Sequence, residues 1–171
     1  MKRIMVIGCS GAGKSTLATS LGGRLGLPVV HLDQLFWNPG WVETPNDDWD
    51  EQMRTLVAEE RWIIDGNYGR TQEMRMERAD TIILLDFPRW LCLWRVFGRV
   101  LRSYGRVRPD LAPGCPEQLP DLEFLMWIWR FRRRSRPALM NRLEEYRAGR
   151  TVFILTSPRQ VRYFVSSAFE E

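Results

Sequence analysis

The chain has 171 residues, 44% hydrophobic and 27% charged, enough for one α/β domain with a sizeable core and too few for a second full domain. A net charge of +4 and a pI near 9.3 suit an anionic partner, nucleotide or nucleic acid alike, without choosing between them. The apolar stretches are too short and interrupted to span a bilayer, and the N-terminus enters a strand pattern with no signal-peptide character. Three widely spaced cysteines, Cys9, Cys92 and Cys115, give neither a disulfide framework nor a zinc motif, so reduced thiols and a cytoplasmic setting are expected.

The first predicted strand, Arg3 to Ile7, runs into Gly8-Cys9-Ser10-Gly11-Ala12-Gly13-Lys14-Ser15, and a helix pattern from Lys14 to Leu25 follows. This is the P-loop spacing G-x-x-x-x-G-K-[ST] in the strand-to-helix setting that it requires. Gly8, Gly11 and Gly13 let the chain curl so that successive N–H groups, those of Ser10 and Ala12 among them, face inward as an anion nest. A helix N-terminus beneath the nest favours negative charge further. Lys14 is expected on the outer phosphates of a nucleoside triphosphate and the Ser15 hydroxyl on Mg²⁺, with Thr16 adding a contact.

Further strands are predicted at Val29 to His31, Trp62 to Ile64, Thr81 to Leu85 and Thr151 to Leu155. Helices are predicted at Asp47 to Glu60, Trp90 to Ser103, Leu122 to Tyr146 and Ser157 to Ala168. Alternation of this kind predicts an α/β fold: a five-stranded parallel sheet covered by helices on both faces. In open parallel sheets ligands collect where strands end, which singles out Asp33, Asp65 and Asp86. Asp65, after Trp62-Ile63-Ile64, has the Walker B form and is expected to hold Mg²⁺ through water, and Asp33 is placed to orient or deprotonate an acceptor. Asp86 reads equally as a structural residue, and His31, the sole histidine, as a core-edge residue rather than a metal ligand.

Between Ser103 and Pro120 lies a proline- and glycine-rich stretch that reads as a mobile lid joining two arginine-rich helices. Arg95, Arg99, Arg102 and Arg106 would share one face were the helix to continue that far, and Arg130, Arg132, Arg133, Arg134 and Arg136 form a second group. Such self-repelling charge suits an anionic substrate; a solvated basic face remains the alternative for any single arginine. The interleaved aromatics, Trp94, Phe97, Tyr104, Trp127, Trp129 and Phe131, read as packing residues or as stacking platforms for nucleic acid.

Asp86-Phe87-Pro88 followed by Arg95-Val96-Phe97-Gly98-Arg99 resembles the D-x-P-x6-R-x2-G-R signature of adenylate kinase-like nucleotide kinases. That resemblance implies that Arg95 and Arg99 flank the triphosphate, and that Arg142, in Arg142-Leu143-Glu144-Glu145-Tyr146, meets phosphates on lid closure. Over nearly the whole chain, His31 to Trp37 with Gly40-Trp41, Trp62 to Tyr68 and Asp86 to Arg89 resemble the small bacterial DNA topology modulation proteins, the FlaR-like family. Gln34-Leu35-Phe36-Trp37 stands where adenylate kinases carry an acceptor arginine, and Asn67-Tyr68-Gly69-Arg70 replaces their glycine-phenylalanine-proline-arginine run.

The expectation is thus one P-loop kinase domain, 1–171, with an arginine-rich lid at about 100–135, using ATP and Mg²⁺ on an unidentified small acceptor. Lys14, Asp33, Arg99 and Arg134 carry catalysis, while Asp33, Asn67, Tyr68 and Arg70 shape the acceptor site. A nucleotide-controlled nucleic-acid-binding protein affecting DNA topology is the alternative, and a plain ATPase a third reading.

Overall fold

A computed structural model describes residues 1–167. Its first half runs β1 (Arg3–Gly8), α1 (Lys14–Leu25), β2 (Val29–His31), α2 (Leu32–Phe36), β3 (Trp37–Asn38), β4 (Val42–Glu43) and α3 (Asn46–Ala58). The second half runs β5 (Trp62–Asp65), α4 (Gln72–Arg78), β6 (Thr81–Leu85), α5 (Arg89–Ser103), α6 (Leu122–Glu145), β7 (Thr151–Leu155) and α7 (Pro158–Ser167). Ala168, the predicted end of the last helix, lies outside the described residues.

The five strands expected from sequence form one parallel sheet in the order β2-β5-β1-β6-β7. β5 and β6 are buried at every residue, and β1 at all but Arg3, because helices cover both faces of these central strands. Since all five strands run the same way, Gly8, His31, Asp65 and Asp86 arrive together at one carboxyl edge.

Helix boundaries follow local chemistry. The Gly26 backbone, in the left-handed region at φ 60°, closes α1 by donating its N–H to the Gly22 carbonyl. Asp121 caps α6, its carboxylate accepting from the Phe124 N–H at 2.7 Å. α3 turns Trp49, Met53 and Val57 inward at steps of four, each burial contributing about 1.5–3 kcal/mol.

Three short elements were not foreseen: α2, the antiparallel β3–β4 pair and α4. Each is too short to display a period, and tertiary contacts hold it instead. Thr44 secures the hairpin by donating its hydroxyl to the carbonyls of Leu35 and Phe36, at 3.1 and 2.8 Å.

The stretch between α5 and α6, expected as a mobile lid, is folded down in this structure. Trp41 donates its indole N–H to the Pro116 carbonyl at 3.1 Å, the Gly40 N–H reaches the Gly114 carbonyl at 3.0 Å, and the Gln34 amide donates to the Pro109 carbonyl. Gly114 packs so closely on Pro39 that an added Cβ would lie 2.9 Å from the Pro39 Cβ.

Candidate active site at the carboxyl edge of the sheet

The glycine loop leaves the end of β1 in a conformation that side chains would oppose. Gly8, Gly11 and Gly13 have φ of 145°, 79° and 93°. A Cβ on Gly11 would stand 2.3 Å from the Cys92 carbonyl, so the loop is seated directly on the first turn of α5. A Cβ on Gly13 would meet the Arg95 guanidinium at 3.6 Å. α1 then starts without a side-chain cap or a first-turn acid, the arrangement by which a helix N-terminus can receive an anion. Lys14 folds back over the loop, donating from Nζ to the Cys9 carbonyl at 3.3 Å. Ser10 and Ser15 are half-buried, Ala12 is buried and Thr16 is exposed.

The base of the loop is locked by a residue assigned from sequence to the acceptor site. Asn67 accepts from the Gly8 N–H at 3.1 Å and donates to the Gly8 carbonyl at 2.8 Å. Its amide is therefore spent on the P-loop backbone. Behind it, the fully buried Arg75 donates to the carbonyls of Gly66, Asn67 and Tyr68 at 2.8, 2.6 and 2.9 Å, and more weakly to that of Thr71 at 3.3 Å. Burial pulls the Arg75 pKa down to about 9, which leaves it charged at neutral pH.

Two carboxylates stand on adjoining strands. Asp65, buried at the end of β5, sits opposite His31 of β2 and pairs with its Nδ1 at 3.0 Å. That hydrogen bond, opposed by desolvation and helped by the Asp65 charge, holds the imidazole above its ordinary pKa. Asp33, in the first turn of α2, accepts from the Tyr68 hydroxyl at 2.6 Å. Burial and the neighbouring Asp33 charge both push the Tyr68 phenol upward, so it stays a donor. Arg70, expected beside Asp33, gives its guanidinium to Asp50 in a two-pronged pair at 2.9 and 2.7 Å. Asp50 is held below its usual pKa by that contact.

The arginines divide into distinct settings. Arg95 touches the glycine loop, donating to the Ala12 carbonyl at 3.1 Å with its guanidinium 5.3 Å from the Phe87 ring centroid. Arg99 pairs with the buried Glu117 at 2.9 Å, and Arg108 holds the other oxygen of the same carboxylate at 2.7 Å. Desolvation and the Arg108 charge lower the pKa of Arg99. Arg136 is bound to Asp86 at 2.8 Å, tying α6 to the end of β6, and Arg142 donates to Gln72 at 3.0 Å. Arg134 and its neighbours Arg130, Arg132 and Arg133 are exposed.

Sequence reasoning missed Arg75, Glu117 and the locking role of Asn67. Glu117 carried a signal, as an acid inside the loop that joins two arginine-rich helices. Arg75 carried none, because the Gln72–Arg78 run resembles any solvated helix.

With this geometry in view, comparison with solved structures identifies the architecture. The chain superimposes on shikimate kinase from Acinetobacter baumannii in complex with shikimate with a TM-score of 0.59, at 15% identity, covering 98% of this chain and 90% of that one. Shikimate kinase from Bacteroides thetaiotaomicron gives 0.52 at 19% identity, covering 98% and 95%. The fold is that of a shikimate kinase-like P-loop NTPase. Among curated proteins, the uncharacterized protein YqaC of Bacillus subtilis (strain 168) is 26% identical over 130 residues, 74% of this chain and 70% of that protein. No family model matches the chain. Among the described residues, no helix is long and apolar enough to cross a membrane.

The cradle fits a phosphate chain on its own evidence. Its backbone turns through conformations that favour glycine, its helix end is uncapped, and its lysine rests on a long, weak backbone contact that an anion would outcompete.

Proposed function

We propose that this protein is a P-loop kinase that transfers the γ-phosphoryl group of ATP to a small acceptor oriented by Asp33. The observation that carries this reading is the shared strand edge. The glycine loop ends β1, Asp33 follows β2, and Asp65 stands on β5 between those two strands. The similarity in fold to enzymes named shikimate kinase supports a small hydroxylated acceptor rather than a polymer.

The loop from Gly8 to Thr16 would bind the phosphates, with Lys14 swinging from the Cys9 carbonyl onto the outer ones. Mg²⁺, where bound, neutralises developing charge on the transferring group; nucleotide-bound magnesium needs few protein ligands, and Ser15 and Asp65 would supply them. Asp33, kept in place by Tyr68, would accept the acceptor's proton. Phosphate would compete with Glu117 for Arg99, and the exposed Arg134 would turn inward as the 104–121 segment rearranges over the site. Arg142 would join from α6. The likeness to FlaR-like proteins is compatible with this reading, since two of the segments that carry it, His31 to Trp37 and Trp62 to Tyr68, include Asp33 and its partner Tyr68. A cytoplasmic protein with reduced Cys9, Cys92 and Cys115 is consistent with the same chemistry.

The test is ADP release from Mg-ATP across a panel of small alcohols, sugars and nucleosides. Lys14→Ala is expected to cut transfer by about 100-fold or more while leaving the melting temperature unchanged, because it removes a phosphate contact and no core atom. Asp33→Asn is expected to keep ATP affinity and lose transfer. ATP affinity undetectable by calorimetry in the wild-type protein would refute the proposal.

A further inference from the structure

One side of α5 is turned to solvent and is apolar from end to end. Trp90, Trp94, Phe97 and Leu101 on α5, with Tyr104 at its carboxyl cap, are 64%, 73%, 48%, 86% and 62% exposed. They recur at steps of four, three, four and three, so on a helix they fall within an arc of about 80° and form a ridge about 21 Å long. The buried side, centred about 120° round the helix, is a separate apolar set, Cys92, Val96 and Val100, which packs into the core. The fold is therefore satisfied without the ridge. With roughly 200 Å² for each such side chain, the ridge leaves about 700 Å² of apolar surface in water, above the 300–600 Å² of the largest patch on typical monomers.

We infer that this ridge is a dimerisation surface on which a second copy of the chain lays its own α5, antiparallel, about a two-fold axis near Phe97. The area is what a stable pair needs: about 700 Å² from each copy approaches the ~800 Å² per partner of standard interfaces. The spacing is the seam pattern by which two helices interlock, and it is self-complementary under a two-fold axis. Phe97, midway along the ridge, meets its equivalent; Trp94 meets Leu101, and Trp90 meets Tyr104. Charge permits this approach. No ridge residue is charged, Arg95, Arg99 and Arg102 leave α5 about 120–180° from the middle of the ridge, and Arg89, 5.8 Å from the Trp90 ring centroid, stands only at its amino-terminal end, so the central Trp94, Phe97 and Leu101 pairs meet without opposing arginines. Trp90 is also preorganised, its ring edge-on to Trp129 at 4.6 Å while the Arg89 guanidinium lies 3.9 Å from the Trp129 ring centroid. Because Arg95 touches the glycine loop from the other side of α5, pairing leaves the nucleotide site open.

The experiment needs no nucleotide, so it stands or falls apart from the kinase reading. Light scattering on eluting wild-type protein at micromolar to hundred-micromolar concentration is expected to give twice the 20.2 kDa chain mass. Leu101→Glu and Trp94→Glu, each at an exposed position, are expected to return the mass to one chain with an unchanged circular dichroism spectrum. Phe97→Cys is expected to cross-link two chains under mild oxidation, while Tyr163→Cys, at a more exposed position on α7, does not. A wild-type protein of single-chain mass at every concentration overturns the inference, including the case where it instead sediments with phosphatidylserine vesicles. So do glutamate variants that remain dimers, and a Phe97→Cys protein that fails to cross-link.

Discussion

Arg75 and Asp80 illustrate how single side chains hold this fold through backbone groups. Arg75 supplies protons to the carbonyls of the turn that carries Asn67 and Tyr68, and so fixes at once the base of the phosphate loop and the partner of Asp33. Arg75→Met keeps the volume and orphans those buried acceptors; it is expected to cost about 3 kcal/mol in urea unfolding, more than any exposed arginine substitution. Asp80 stands at the other end of the sheet, accepting from the Thr81 hydroxyl at 2.7 Å and from the Lys2 and Arg3 N–H groups at 2.9 Å each. Burial pushes its carboxyl up, but these hydrogen bonds outweigh burial and hold it below the usual range. A lowered folded pKa means stability that is present above the unfolded value near 3.9 and is lost as pH falls through the folded pKa. Thermal melts of Asp80→Asn should therefore fall short of wild type at neutral pH and converge with it in acid.

At the scale of elements, the segment between α5 and α6 is clasped by contacts to α5 and to the β3–β4 pair. Glu117, buried between Arg99 and Arg108, neutralises two guanidinium groups that would otherwise face each other in a poorly solvated site. Glu117→Gln preserves shape and removes the charge, so repulsion between the arginines should loosen the segment. Amide exchange across 104–121 is expected to accelerate about tenfold in that variant, with little change in β1 or β6. Unchanged protection would mean that the contacts to the β3–β4 pair, through Trp41 and Gly40, hold the segment by themselves. α6 is anchored separately by Arg136 on Asp86, which assigns Asp86 a structural partner and separates Arg136 from the exposed arginines of its group.

At the scale of the molecule, the sheet brings the glycine loop and two carboxylates to one edge, while the exposed side of α5 offers an apolar ridge for a second copy. Dilution should consequently lower the melting temperature of the wild-type protein and leave that of Leu101→Glu unchanged, because only a dimer couples folding to concentration. The parallel sheet is legible in the amino-acid order, since each strand is mostly an apolar run followed by a return of helix length, and so is the glycine loop, since its chemistry is local and its spacing fixed. The same order also placed Asp33 and Asp65, because strand ends are visible as changes of polarity. Which polar and charged side chains are already committed is set by the folded chain. Arg70 is given to Asp50, Asn67 to Gly8, Arg99 to Glu117 and Arg136 to Asp86, and each pairing joins residues between 18 and 59 positions apart. A guanidinium has the same pattern in the chain whether it meets a phosphate or a buried carboxylate; its partner is selected by how the chain returns in space, which no local spacing encodes.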